Sequence, residues 1–299
     1  MGARYRDPPM RRRDPIVPTQ SRPGWTERRA QSTDGVTVAV HEFGGQGPEL
    51  LFVHATGFCA PVFAPLAALL APAYRCWGVD LRGHGLASTP ASVDFAWTGF
   101  AADVLAAVDG LSLDRPIAFG HSSGGAAVLL AEANRPGTFA AMWTYEPIVW
   151  PSPEEARERA ARLAEGARRR RDRFPSRDDA YANFASKPPF STLTPGALRA
   201  YVDCGFEPAE DGSVILRCRP ESEAAIYLNA VAENRFARLN EVSCPVVVAA
   251  GGHTDAITPE VAQRLVDALP GGRLAVFPHL GHFGPLEDPE AVADVVLRG

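Results

Sequence analysis

Lysine is almost absent from this sequence. Lys187 is the only one among 30 basic residues, and the rest are arginine. We read that bias as the codon usage of a GC-rich, bacterial genome. The formal net charge is −5, so the chain lacks the positive field by which proteins attract nucleic acid or anionic membrane surfaces. No apolar run approaches the ~20 residues of a membrane-spanning helix. The stretch "PLAALLAPA" at 65–73 is too short and too rich in alanine, and reads as buried helix. Cysteine is scarce and unpatterned. Cys59, Cys76, Cys204, Cys218 and Cys244 are odd in number and show no C-x-x-C spacing. They fit small buried hydrophobes in a reducing, cytoplasmic compartment rather than a disulfide framework.

The first 25 residues lack hydrophobic periodicity and are rich in Arg and Pro. A secretory signal would place an apolar stretch after "RRR" at 11–13, and "DPIVPTQ" is not one. Residues 1–25 are therefore expected to be a disordered extension, or to begin at an upstream start codon with Met10 as the true start. The remaining chain has the composition of a soluble globular protein, 46% hydrophobic and 22% charged over a total length of 299 residues.

From residue 26 the pattern is regular. "TERRAQST" and "VTVAVHEFG" flank Asp34-Gly35, a turn dipeptide that predicts a hairpin. Short continuous apolar runs follow at 49–55, 74–80, 116–122, 140–147, 245–252 and 273–279, bounded by Pro, Gly or Asp. Runs apolar on both faces are how the strands of a parallel sheet covered on both sides read. Helix-like segments alternate with them at 61–70, 97–109, 123–134, 259–269 and 288–297, which predicts an α/β doubly wound sheet over 26–147 and 242–299. The rhythm breaks over 148–241, where a charged amphipathic helix, shorter helical pieces and a brief strand at 212–220 predict a helical cap over the strand ends. The arginine-rich stretch 168–173 reads as a solvated helix face, with anion binding as the other reading.

Gly120-His121-Ser122-Ser123-Gly124 fits G-x-S-x-G between a strand-like run and a helix-forming run, the context in which such a serine is a nucleophile. Glycines beside a serine at a sharp strand-to-helix turn let the backbone pass close by. A serine hydroxyl needs a base, and the base needs an orienting carboxylate. His282, in a Gly-His-Phe loop after the last predicted strand, is the expected base; His279 is expected to pack or cap the strand end. Asp255, in the loop "GGHTDAITP", is the expected acid. Glu146, which ends an earlier strand at the same sheet edge, takes the role if Asp255 is misplaced. The oxyanion donors are expected to be the backbone amides of Ser123 and of Thr56 in "HATGF". Phe58, His121, Trp150 and Phe283 are candidate substrate-pocket residues, with Trp97 and Trp143 further apolar candidates. In "DLRGHG", Asp80 and Arg82 are expected to form a buried structural pair.

The order "HATGF", "VDLRGHG", "GHSSGG", Asp255 in its loop and "GHFGPLEDPE" resembles the α/β-hydrolase fold superfamily, in its lid-bearing esterase/lipase-like branch. The resemblance covers about residues 30–299. It implies an eight-stranded, mostly parallel sheet flanked by helices, with the cap inserted after strand six. It also implies Ser122 as nucleophile, Asp255 as acid, His282 as base and the Thr56 and Ser123 amides as oxyanion hole. Two departures stand out. Ala55 replaces the glycine common after the histidine of the oxyanion loop, which is tolerable where its φ stays negative. A serine nucleophile argues against epoxide hydrolase or dehalogenase chemistry.

The expected activity is hydrolysis of an ester or related acyl bond of a small to medium, partly apolar substrate. It needs neither cofactor nor metal, and no partner beyond that small molecule; the chain fits a monomer or a homodimer. Lactone or C–C bond hydrolysis, haloperoxidase-like chemistry, acyl transfer or plain ligand binding on the same scaffold are the alternatives.

Overall fold

The computed structural model describes residues 21–22, 25–229 and 235–298. The extension expected over 1–25 lies almost wholly outside them. Its described end is strand, because β1 (Ser21–Arg22) pairs antiparallel with β2 (Trp25–Gln31). β2 turns into β3 (Thr37–Gly44) through Thr33–Val36, where the Val36 N–H donates to the Thr33 carbonyl at 3.0 Å. Asp34 and Gly35 both take positive φ there, 59° and 74°, the conformation that Asp-Gly accepts most readily in a tight hairpin turn. β4 (Glu49–Val53) leads through a 3₁₀ turn into α1 (Ala64–Leu70), and β5 (Arg75–Asp80) into α2 (Trp97–Gly110). β6 (Ile117–His121), α3 (Ser123–Asn134) and β7 (Ala141–Tyr145) form the next crossover.

Residues 148–241 then leave the sheet. α4 (Pro153–Arg168) starts where a helix should. The Ser152 side chain accepts the Glu155 amide, Pro153 fills the first position and Glu154 and Glu155 occupy the first turn. Its buried stripe is alanine, at Ala156, Ala160, Ala164 and Ala167. Small side chains let it lie close against α7 (Pro220–Asn229), whose Ala224 joins the same cluster. Between them come β8 (Arg173–Phe174), α5 (Arg177–Ala185), α6 (Pro195–Gly205), β9 (Phe206–Pro208) and β10 (Val214–Leu216). The insertion is therefore not purely helical: β8, β10 and β9 pair into a small antiparallel sheet. Of these three, β10 falls within the brief strand expected over 212–220, whereas β8 and β9 lie where only helix and loop were expected.

The chain returns as β11 (Val246–Gly251), α8 (Pro259–Ala268), β12 (Gly272–Phe277), a short α9 (Gly284–Glu287) and α10 (Pro289–Arg298). The strand order is β1-β2-β3-β5-β4-β6-β7-β11-β12. Pairing is antiparallel as far as β5 and parallel from there to β12. This is the eight-stranded, mostly parallel sheet with an insertion after its sixth strand, lengthened at one edge by the two-residue β1. Successive strand residues feed opposite layers. Leu51 and Val53 of β4 pack with α2, α3 and α8, whereas Leu50 and Phe52 pack with α1 and α10. Both faces are covered, so these strands read as unbroken apolar runs rather than alternating ones. Among the described residues no helix is long and apolar enough to cross a membrane, and all five cysteines are buried.

The expected Asp80–Arg82 pair does not form. Asp80, at the end of β5, meets His41 on the neighbouring β3 (2.9 Å) and accepts the Ala60 and Leu86 amides. Arg82 reaches Asp103 on α2 with two nitrogens, at 3.0 and 2.9 Å, and Asp34 in the hairpin turn at 3.0 Å. Each charge found a partner on another element, because two residues apart on one chain end rarely face each other.

Candidate active site

β6 runs straight into α3, and Ser122 is the joint. Its φ is 55° and its ψ −115°, a region that a residue with a side chain occupies only when its surroundings force it. Three backbone hydrogen bonds do so. The Ser122 N–H donates to the Tyr145 carbonyl at 2.9 Å, and its own carbonyl accepts the Ala126 and Ile148 amides at 3.2 and 3.1 Å. The flanking glycines are there for space. A Cβ on Gly120 would stand 2.6 Å from the Gly125 Cα, and one on Gly124 would stand 2.2 Å from the Val53 carbonyl oxygen. Since backbone cannot step aside as a side chain can, Gly124→Ala is expected to destabilise the fold by about 3 kcal/mol. Gly166→Ala, in an open stretch of α4 with nothing within 4 Å, should instead gain up to about 1 kcal/mol. Thermal melts of the two variants check both signs.

The Ser122 hydroxyl donates to His282 Nε2 at 3.1 Å, and His282 Nδ1–H donates to Glu146 Oε2 at 2.6 Å. Glu146, not Asp255, is therefore the carboxylate on His282. Glu146 follows β7 with φ 46° and is fully buried. It also accepts the Gly251 amide at 3.0 Å, the Thr254 hydroxyl at 2.8 Å and the Ile257 amide at 3.4 Å. All four partners donate to the Glu146 carboxyl oxygens. The loop after β11 thus wraps the Glu146 carboxylate instead of supplying one. Asp255 in that loop is exposed, and its backbone carbonyl accepts a hydrogen bond from Arg159 of α4.

The histidine loop is braced from beneath. His121 Nε2–H donates to the His282 carbonyl at 2.8 Å, the Tyr145 hydroxyl to the Gly281 carbonyl at 2.9 Å, and the Gly281 amide to Glu287 at 2.8 Å. His121, expected in the substrate pocket, is instead 1% exposed and packs behind the lining residues His282 and Phe283. Burial, with His282 adding to it, pushes its pKa down to about 3, so it stays the neutral donor this bond needs. His279, expected to pack or cap, is exposed beyond the end of β12, its ring edge-on to His253.

Two more buried histidines shape the loop after β4. His54 Nδ1–H donates to the Ala55 carbonyl (2.8 Å) while its Nε2 accepts the Leu81 amide (3.1 Å). His84 Nδ1–H donates to the Arg82 carbonyl (2.8 Å) and its Nε2 accepts the Gly57 amide (2.9 Å). Burial lowers the pKa of both, that of His84 to about 3. "HATGF" and "DLRGHG" are thus one construction, a link that their separation in sequence concealed. Ala55 does not take positive φ; Gly57, at φ 83°, makes the turn. Thr56 and Ser123 both border the cavity next to Ser122.

That cavity has a volume of about 870 Å³ and lies between the carboxyl ends of the strands and the insertion. Ser122 and His282 form its floor; Phe58, Trp97, Trp150, Phe184, Phe190 and Phe283 contribute apolar wall. Trp143, on β7, packs in the core instead, and Cys59 is fully buried. One wall is polar. The 168–173 stretch is not a uniform solvated face: α4 ends at Arg168, and Arg170 turns inward to Glu223 of α7 at 2.5 Å and to the Tyr201 hydroxyl at 2.6 Å. No periodic signal marks Arg170 among its neighbours; its burial follows from the helix ending where it does.

A family model for the alpha/beta hydrolase family matches residues 50–295. The chain belongs to the alpha/beta hydrolase family. Among curated members it is 34% identical to mouse protein phosphatase methylesterase 1 over 142 residues, 44% of this chain and 37% of that protein. It is 35% identical to human monoglyceride lipase over 124 residues, 38% of this chain and 39% of the lipase. The chain thus spans less than two fifths of the length of either hydrolase. The solved structure of E-2-(acetamidomethylene)succinate hydrolase superposes with a TM-score of 0.80 at 21% identity, over 92% of this chain and 98% of that one. At that identity the likeness is one of fold.

Proposed function

We propose that this hydrolase cleaves an ester or related acyl bond through a covalent intermediate on Ser122. The observation that carries the reading is the unbroken hydrogen-bond series from Ser122 through His282 to Glu146, mounted on a serine held at positive φ. In this mechanism His282 Nε2 takes the hydroxyl proton as Ser122 Oγ attacks the substrate carbonyl. The Glu146 carboxylate holds the imidazole with Nε2 toward the serine and stabilises the imidazolium that forms. The Thr56 and Ser123 amides receive the oxyanion, a contribution of about 3 kcal/mol per donor to the transition state. The His282 imidazolium then returns the proton to the departing alcohol or thiol. Water, deprotonated by the same nitrogen, cleaves the acyl-enzyme and restores Ser122.

The insertion acts as a lid over this site, and the cavity beneath it suits a small to medium, largely apolar substrate. The methylesterase and lipase names among the relatives are consistent with oxygen-ester hydrolysis. The test is direct. The purified protein should turn over short p-nitrophenyl esters and be labelled by a fluorophosphonate at Ser122, and Ser122→Ala should lose both. A protein that shows neither turnover nor labelling is no serine hydrolase.

A further inference from the structure

The Arg170–Glu223 ion pair is the least expected part of the cavity wall. Its side chains are only 19% and 5% exposed, and the Arg170 guanidinium lies over the ring of Phe190 in the aromatic lining, 5.7 Å from its centroid. Its position is specific. A Cβ on Gly57 would stand 2.9 Å from Glu223 Oε1 and 3.1 Å from Arg170 Nη1. The pair therefore rests on the residue next to Thr56, the proposed oxyanion donor. Two tyrosines hold it there: Tyr201 accepts from Arg170 Nη2 and Tyr227 donates to Glu223 Oε1 at 3.3 Å. As a stabilising device a buried ion pair does little that apolar residues of the same volume would not do. As a recognition surface it offers something they cannot.

Resting on the serine hydrolase reading above, we infer that Arg170 and Glu223 form a subsite for a carboxamide carried by the substrate close to the scissile carbonyl. The charges of the pair cancel, so a lone carboxylate or ammonium gains from one partner and loses to the other. A neutral planar amide engages both. Its N–H donates to Glu223, whose two oxygens keep spare lone pairs after the Arg170 and Tyr227 bonds. Its carbonyl accepts from Arg170, whose five N–H groups exceed the two bonds made to Glu223 and Tyr201. The aromatic lining beside the pair takes the apolar remainder of the substrate.

The test compares two esters of matched length, p-nitrophenyl N-acetylglycinate and p-nitrophenyl pentanoate, each rate divided by that of the hydroxide reaction. The wild-type protein is expected to favour the amide ester in kcat/KM by about 10- to 100-fold, as two hydrogen bonds in a dehydrated wall allow. The double variant Arg170→Met/Glu223→Leu replaces the pair by apolar groups of similar volume, and its ratio should fall towards one. Glu223→Gln, which keeps the shape but removes the charge, should lower the ratio partway. A flat wild-type ratio overturns the inference, as does a preference that survives in both variants or a loss that strikes both esters equally. Fluorophosphonate labelling of wild-type Ser122 separates this outcome from failure of the hydrolase reading, which would abolish labelling altogether.

Discussion

Glu146→Gln is expected to lower kcat on any ester the protein turns over by about 10³-fold, while Asp255→Asn changes it by no more than about threefold. The asymmetry follows from the hydrogen bonds. The Glu146 carboxylate accepts from His282, Gly251, Thr254 and Ile257, and an amide of the same shape would turn an N–H₂ toward some of those donors. His282 would lose the partner that selects its Nδ1–H tautomer, leaving Nε2 with the wrong protonation to receive the serine proton. KM should move little, since Glu146 is buried beneath the cavity floor and absent from its lining. Steady-state kinetics of both variants decides the matter. Wild-type turnover in Glu146→Gln with a collapse in Asp255→Asn would reverse the assignment.

Acid should unfold this protein at unusually mild pH, and the responsible groups are histidines rather than carboxylates. His54, His84 and His121 are buried, and burial holds the pKa of each below its ordinary value near 6.5, to about 3 for His84 and His121. A group whose folded pKa is depressed binds its proton in the unfolded chain first. The stability it contributes is complete above about pH 6.5 and is lost as the pH falls toward the folded value. His84 and His121 each steepen the loss by about 1.4 kcal/mol per pH unit, together by about 2.7 kcal/mol per unit, and His54 acts in the same direction. A domain stable by about 5 kcal/mol then unfolds near pH 4.5, and a more stable one at lower pH. Below about pH 4 Asp80 adds to the trend: burial opposes its ionisation, but His41 beside it prevails and keeps its carboxyl below the usual range. Urea titrations at half-unit intervals should find stability flat from about pH 7 to 8 and falling steeply beneath 6.5. A profile level down to pH 5 would show that these three histidines accept protons in place.

The sheet was legible in the sequence because a parallel strand buried on both faces has no polar positions to confuse the reading, and Pro, Gly and Asp mark its ends. The serine elbow was legible for a local reason, since the turn, the preceding strand and the following helix are contiguous. The acid was not, because two strand-end carboxylates lie at the same edge of the sheet and spacing does not say which one His282 meets. A physical signal was present in "AMWTYEP". A carboxylate that closes a wholly buried strand must find donors to remain charged, whereas Asp255 sits among polar loop residues that water can satisfy. Arg170 was illegible in a different way. One inward arginine within an arginine-rich stretch is distinguished by tertiary contacts alone.

Taking the carboxylate from the end of β7 changes what the neighbouring loop is free to become. The segment after β11 must still present the Gly251 and Ile257 amides and the Thr254 hydroxyl to Glu146. Two of those three obligations are backbone, indifferent to side-chain identity. Its remaining positions, His253, Asp255 and Ala256, border the cavity without serving the proton path. Substitutions there can retune the shape of the site while the chemistry stays intact, so this loop is the first place to graft new selectivity.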